Sequence, residues 1–329
     1  MRNPSTSTPS IAIVIPGYRC ESTIKEVIHN IPEWVSSIVY VDDCSPDQAL
    51  EMVRGLQRTD HRIVVVEHQT NQGVGGAMLS GYQKAVELGA EILIKMDSDG
   101  QMEAQYLSKL VQPILSGQAD YTKGNRFLHF SKITSMPFLR RIGNIGLSFL
   151  VKVASGYWNV FDPTNGYTAM HASAFQLLDT DRIDRRFFFE SSLLAELGVI
   201  RAVVRDVPIP ARYGTEKSSL SELDALINFP SRLAKKFFRR ILIQYFIRDF
   251  SAFSLFSILG LILILFGTIW GAYYWLQSIR MGVPATTGTV MIAVLPLMVG
   301  VQFLIQSIAL DIQNVPQEPI HHENNLHLD

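Results

Sequence analysis

The chain has 329 residues, 47% of them hydrophobic and 18% charged, which is too apolar for disorder and long enough for one large domain or two ordinary ones. A formal net charge of −1 provides no electrostatic footprint for nucleic acid, and no nucleic-acid partner is expected. Two cysteines, Cys20 and Cys44, are too few for a disulfide framework or a cysteine metal site, so both are expected to be reduced and structural.

Residues 1–10 are polar and rich in Ser, Thr and Pro; they are expected to be disordered and do not read as a signal peptide. From 11 to 229 short β-branched runs (Ile11–Ile15, Ile38–Val41, Ile63–Val66, Ile92–Met96) alternate with helical patterns such as Ser22–Asn30 and Gln48–Leu56. Such alternation predicts an α/β domain with a mostly parallel, Rossmann-like sheet. Open sheets of this kind bind ligands beyond the carboxyl ends of their strands. Pro16-Gly17-Tyr18, Asp42-Asp43 and Asp97-Ser98-Asp99 each follow one of these runs, and together they point to a nucleotide site.

Asp97-Ser98-Asp99, followed by Gly100-Gln101, places two carboxylates one residue apart, where they can share a hard divalent cation such as Mg²⁺ or Mn²⁺ against a diphosphate. The alternative is a turn with a helix cap. Gly73-Val74-Gly75-Gly76 fits neither the dinucleotide nor the P-loop pattern, and is expected to allow a tight turn and close packing of the following helix. From Ala119 to Tyr213 the pattern is less regular, as expected where loops build the acceptor side.

Residues 230–250 interleave Arg232, Lys235, Lys236, Arg239, Arg240 and Arg248 with Leu233, Phe237, Phe238, Ile241, Leu242 and Tyr245, the pattern of a basic amphipathic helix at a membrane surface. No charge occurs from Phe250 to Ile279 or from Met281 to Leu310. Within 251–311, two transmembrane helices are predicted, at about 252–276 and 287–310. The alternative is a buried hairpin of a soluble core. Only Arg280 lies between the spans, so the positive-inside rule places the domain and both termini in the cytoplasm. Gln302 and Gln306, four apart on the second span, suit interhelical hydrogen bonds and a homo-oligomer. Residues 312–329 form a polar tail with His321, His322 and His327, expected to be a disordered end rather than a metal site.

Val14-Ile-Pro-Gly-Tyr18, Val41-Asp-Asp-Cys-Ser-Pro-Asp47, Asn71-Gln-Gly73, Asp97-Ser-Asp-Gly-Gln101, Gly124-Asn-Arg126, Asp162-Pro-Thr-Asn-Gly166 and the Arg212–Ser218 segment resemble, in order and spacing, the family 2 glycosyltransferases of GT-A fold. Within that family the resemblance is to the polyprenyl-phosphate (dolichyl-phosphate) sugar transferases, whose membrane-anchored bacterial members carry two C-terminal spans. It implies a metal-dependent, inverting hexosyl transfer from a nucleotide-diphosphate sugar to polyprenyl phosphate at the cytoplasmic face of a bacterial inner membrane. UDP is favoured over GDP; the sugar is left open.

The resemblance also implies residue roles. Pro16, Tyr18 and Asp43 hold nucleobase and ribose; Asp97 and Ser98 lie near ribose and metal; Asp97, Asp99 and Gln101 supply the metal ligands. Arg126, Arg140 (or Arg141), Arg212 and Lys217 face lipid phosphate and donor diphosphate. For each arginine the alternative is a surface ion pair. Asp162 orients the phosphate, acts as base, or caps its own turn; Glu190 is either an acidic base or a helix start. Two departures from the family pattern stand out: Arg19-Cys20 replaces the usual Asn-Glu, and no Pro-Pro follows Gln101. Competing readings are a processive polysaccharide synthase, whose Gln-x-x-Arg-Trp signature is missing because no tryptophan follows an arginine, and an inactive membrane-tethered scaffold that binds nucleotide sugar.

Overall fold

The computed structural model describes residues 9–126, 138–163, 165–210 and 222–323, excluding the side chains of 138–144, 222–228 and 322–323. The chain forms two compact units, one running to Arg240 and resuming at Pro316, the other Ile241–Val315.

The first unit begins with β1 (Ile11–Gly17), α1 (Ile24–His29), β2 (Ser37–Asp42), α2 (Ala49–Gln57), β3 (Ile63–Glu67), α3 (Val74–Glu87) and β4 (Ile92–Lys95). These strands pair in parallel in the order β3-β2-β1-β4. Ile11–Ile15 are all buried, as a central strand covered on both faces requires. After β4 come α4 (Leu107–Leu115), β5 (Tyr121–Asn125), α5 (Phe138–Ser155), β6 (Thr168–His171), α6 (Ala172–Gln176), α7 (Phe189–Ile200), β7 (Val204–Pro208) and α8 (Glu222–Leu242). In α4, Leu107, Leu110, Val111 and Ile114 fall on one face at helical spacing, and all four are buried. The full order is β3-β2-β1-β4-β6-β5-β7, with β6 antiparallel to both neighbours.

Among the described residues, the stretch 119–213, expected to be built from loops, contains three strands and three α-helices. Its strands escape pattern reading because their buried positions include Thr122, Lys123, Asn125 and Thr168. The glycines after β3 do serve close packing. A Cβ on Gly73 (φ +85°) would lie 2.7 Å from the Arg185 carbonyl oxygen, and one on Gly75 would lie 2.3 Å from that of Asp184.

Much of the basic character of α8 is turned toward protein carboxylates and carbonyls. Glu196 is 2% exposed and takes Lys236 at 2.8 Å and Arg239 at 2.5 Å. Arg232 pairs with Asp184. Arg240, itself buried, donates to the carbonyls of Ala154 and Val153. Lys235 and Phe238 stay exposed. A buried carboxylate such as Glu196 needs counter-charge, which is the physical reason these cations face inward.

In the second unit, a π-helical turn (Ile243–Arg248) precedes α9 (Ala252–Met281) and α10 (Thr287–Gln313), two helices long and apolar enough to cross a membrane. They approach closely through glycine: a Cβ on Gly267 would lie 2.6 Å from the Ala293 carbonyl oxygen, and one on Gly300 would lie 2.8 Å from that of Gly260. Gln302 and Gln306 are exposed. Tyr245 donates to Asp311 at 2.7 Å, so the start and end of the hairpin are tied by a buried hydrogen bond.

Beyond α10 the chain returns to the first unit and forms the short α11 (Ile320–Glu323). Asp120, fully buried, accepts from the backbone N–H groups of Val203, Ile320 and His321 and pairs with His321 Nδ1 at 2.8 Å. The His321 ring stacks on His171 with centroids 4.6 Å apart. The expected disordered end is thus held by Asp120 at least through His321, while His327 lies outside the described residues.

Burial, and then the neighbouring His321, hold the His171 imidazole below its usual pKa, with Asp120 and Glu91 opposing. Above about pH 6.5 the ring is neutral in folded and unfolded chains alike. Below that value the unfolded chain binds the proton first, so stability is lost as pH falls toward the depressed folded value. Stability measured by denaturant titration is expected to decline from pH 7 to pH 5, with a shallower slope in His171→Gln.

Candidate active site

The carboxyl ends of β1, β2 and β4 border one cavity of ≈ 450 Å³. β1 contributes Pro16, Gly17 and Tyr18, β2 contributes Asp43, and β4 runs into Asp97, Ser98 and Asp99. The cavity lies where the strand order reverses about β1, the position expected for a ligand in an open α/β sheet. Asn71, Gly73 and Val74 close it on one side, with Arg186 and Phe187 from the segment before α7.

Asp43 organises this rim. Its Oδ1 accepts from Gln72 N–H and its Oδ2 from Gly73 N–H, both at 2.8 Å, and His68 Nδ1 lies 2.8 Å from Oδ1. Asn71 Nδ2 donates to the Asp43 carbonyl. His68 is held in turn by Ser80 at its Nε2. An ionised carboxylate offers about four acceptor positions, so these three contacts leave room for one more donor.

At β4, Asp99 Oδ1 accepts from Gln101 N–H at 2.9 Å, and Gly100 between them has φ +73°. The turn reading of Asp-x-Asp is therefore realised alongside its place on the cavity wall. Asp97 Oδ1 receives the Lys95 ammonium at 2.5 Å, and Glu190 Oε1 lies 3.4 Å from the same nitrogen. Burial alone would push Lys95 down in pKa, but Asp97 and Glu190 outweigh it and hold the ammonium above its usual range. Lys123, also buried, lacks such close carboxylates; burial pushes it down to about 8 despite the more distant Glu190 and Asp162. It donates to the Asn165 carbonyl.

Asp162 is fully buried and grips Arg126 in bidentate fashion, Nε to Oδ2 at 2.7 Å and Nη2 to Oδ1 at 3.1 Å. Arg126 is thus ion-paired, but to a buried carboxylate rather than in the surface pair of the alternative, and the pair fixes the plane of its guanidinium. Asn165 stitches the same turn to β5 by donating to the Gly124 carbonyl. Arg140 lies on α5, but its side chain, like all of Arg212 and Lys217, lies outside the described residues.

At the departures, Arg19 takes φ +53° and lays its guanidinium over the Tyr18 ring, and Cys20 is buried beside Tyr40. Cys44, in contrast, is exposed, so only Cys20 fits the structural role expected of both. Sequence reasoning missed His68, Arg186, Lys95 and Lys123. Two signals were available: His68 directly follows a strand, and Lys95 interrupts a strand buried on both faces.

For a divalent cation, the donors at the end of β4 are hard carboxylate and amide oxygens, which fit Mg²⁺ or Mn²⁺. Among the described residues no cluster of three or more His, Cys, Asp or Glu forms a full protein cage. A cation here would complete its shell from ligand phosphates and water.

The profile of the family described as "Glycosyl transferase family 2" matches residues 12–178, from β1 through α6. The chain belongs to this family. It is 30% identical over 247 residues to the UDP-N-acetylglucosamine–dolichyl-phosphate N-acetylglucosaminyltransferase of Methanococcus voltae, covering 71% of this chain and 96% of that protein. It is 27% identical over 204 residues to the undecaprenyl-phosphate mannosyltransferase of Micrococcus luteus, covering 60% of this chain and 82% of that protein. In fold it matches glucosyl-3-phosphoglycerate synthase from Mycobacterium tuberculosis, solved with Mn²⁺, UDP and glucosyl-3-phosphoglycerate. That match has a TM-score of 0.51 at 18% identity, over 70% of this chain and 80% of that one. The GT-A architecture and a glycosyltransferase identity are thereby established for this glycosyltransferase.

Asp43→Ala removes the acceptor for two backbone N–H groups and for His68. A loss of about 1–3 kcal/mol in unfolding free energy is expected, measured by denaturant titration.

Proposed function

We propose that this glycosyltransferase moves a sugar from a nucleotide-diphosphate donor, UDP-linked rather than GDP-linked, to the phosphate of a polyprenyl lipid at the cytoplasmic face of the membrane, with inversion. The observation that carries the reading is the convergence of three strand ends on one cavity walled by Asp97, Ser98 and Asp99. The activities of the Methanococcus and Micrococcus relatives support a polyprenyl-phosphate acceptor, and the former supports UDP. The two apolar helices support an acceptor whose chain stays in the bilayer.

In this reading Pro16, Tyr18 and the remaining acceptor position of Asp43 hold base and ribose. Asp97, Asp99 and Gln101 would hold Mg²⁺ or Mn²⁺, which supplies charge stabilisation at the leaving diphosphate when bound. Arg126, with Arg140, Arg212 and Lys217, binds the anionic oxygens of acceptor and donor. Asp162 keeps Arg126 in one orientation, so its contribution is to position the acceptor phosphate. A phosphate monoester is largely ionised near neutral pH, and its oxygen attacks the anomeric carbon without strong help from a base. Lys235 and Phe238, exposed on α8, suit contact with the lipid surface, and the exposed Gln302 and Gln306 suit a homo-oligomer.

The test incubates the detergent-purified chain with undecaprenyl or dolichyl phosphate, Mg²⁺ or Mn²⁺, and a panel of UDP- and GDP-sugars, followed by mass spectrometry. One UDP-sugar is expected to yield a lipid-phosphate sugar; lack of product from every donor would overturn the reading. Asp99→Ala is expected to lower kcat by about 10²–10³-fold, on the scale of losing one stabilising group at a developing charge.

A further inference from the structure

Lys95 is the last residue of β4 and its side chain is 2% exposed, whereas Asp97, which it contacts, is 31% exposed and lines the cavity. Its ammonium is shared between Asp97 on one side and Glu190, on the first turn of α7, on the other. A third element covers the pair. A Cβ added to Gly166 would lie 2.6 Å from Lys95 Nζ and 3.1 Å from Asp97 Oδ2, so the Asp162–Gly166 turn reaches the ion pair only because it ends in glycine. Three segments distant in sequence thus meet at one buried cation, directly behind the carboxylate that faces the donor.

We propose that Lys95 is a positioning residue for glycosyl transfer: by engaging Asp97 Oδ1 it fixes the orientation in which that carboxylate meets the donor diphosphate and its cation. In sharing its charge with Glu190, it also sets the net charge of the site. This rests on the placement of the donor at Asp97–Asp99 given above. A buried ammonium between two carboxylates leaves the trio with one net negative charge, Glu190 partly cancelling what Lys95 takes from Asp97. Removing either partner therefore shifts the local field in opposite directions.

The experiment measures Mn²⁺ binding by electron paramagnetic resonance without donor, and kcat and KM with donor and lipid phosphate, in the full-length chain. Lys95→Met is expected to bind Mn²⁺ about tenfold more tightly, since one positive charge leaves a poorly solvated site. Its kcat is expected to fall about 10²-fold with a smaller change in donor KM, because Asp97 loses its fixed orientation. Glu190→Gln is expected to shift Mn²⁺ affinity the other way, about tenfold weaker. General structural damage would weaken binding in both variants, so the opposite signs identify charge balance.

Should Lys95→Met fail to fold, Lys95→Gln takes its place, with the same tighter Mn²⁺ binding expected against the weaker binding of Glu190→Gln. Wild-type transfer with Mn²⁺ affinity unchanged in both variants would overturn the Lys95 proposal and leave the proposed function standing. Absence of Mn²⁺ binding and of transfer in the wild type would overturn both.

Discussion

The site depends on how positive charge is kept beneath a sheet edge that water barely reaches. An isolated ammonium or carboxylate in such a place costs several kcal/mol, and it persists only when partners surround it. Lys95 meets this condition through Asp97 and Glu190, and Lys123 through the Asn165 carbonyl, with Asp162 and Glu190 farther off. Asp162 meets it through Arg126. Each buried charge ties down a different segment: Lys95 holds the start of α7 through Glu190, Lys123 holds Asn165, and Asp162 holds Arg126 at the end of β5. These ties are directional bonds that leave few alternative arrangements.

Close backbone approach is the second requirement, and glycine meets it at the places where segments cross. Gly17 sits under Tyr40, whose hydroxyl would be 2.2 Å from an added Cβ, and Gly75 sits against the Asp184 carbonyl. The first lets β1 end directly beneath the cavity. The second lets the segment carrying Arg186 and Phe187 come down onto the start of α3 and form part of the wall. A side chain at either point would separate elements whose residues must reach the same ligand.

These two features explain what could and could not be read from the residues alone. The strands β1 to β4 were legible because each is an apolar run, buried on both faces in β1, β2 and β4 and partly buried in the edge strand β3, and the residues following β1, β2 and β4 do share one cavity. The two long apolar helices were legible from length and lack of charge. β5 and β6 were not, because Thr122, Lys123, Asn125 and Thr168 are polar yet buried, and only partners remote in sequence make that tolerable. α7 was equally opaque: Ser191 to Gly198 are buried without a break, which erases the helical stripe. The basic residues of α8 were legible as a cluster, but their direction was not, since Glu196 lies 40 residues from Lys236 and 43 from Arg239.

Both ends of the apolar hairpin lead into segments fastened to the first unit. The chain is anchored on the first unit just before the hairpin, where Arg240 is buried against the Ala154 and Val153 carbonyls beside Gly156. It is anchored on that unit again just after, where Asp120 gathers Ile320 and His321. Tyr245 and Asp311, bonded across the base of the hairpin, bring its entry and exit together. The tail after α10 is therefore part of the first unit's fold, held there through His321 by the Asp120 clasp.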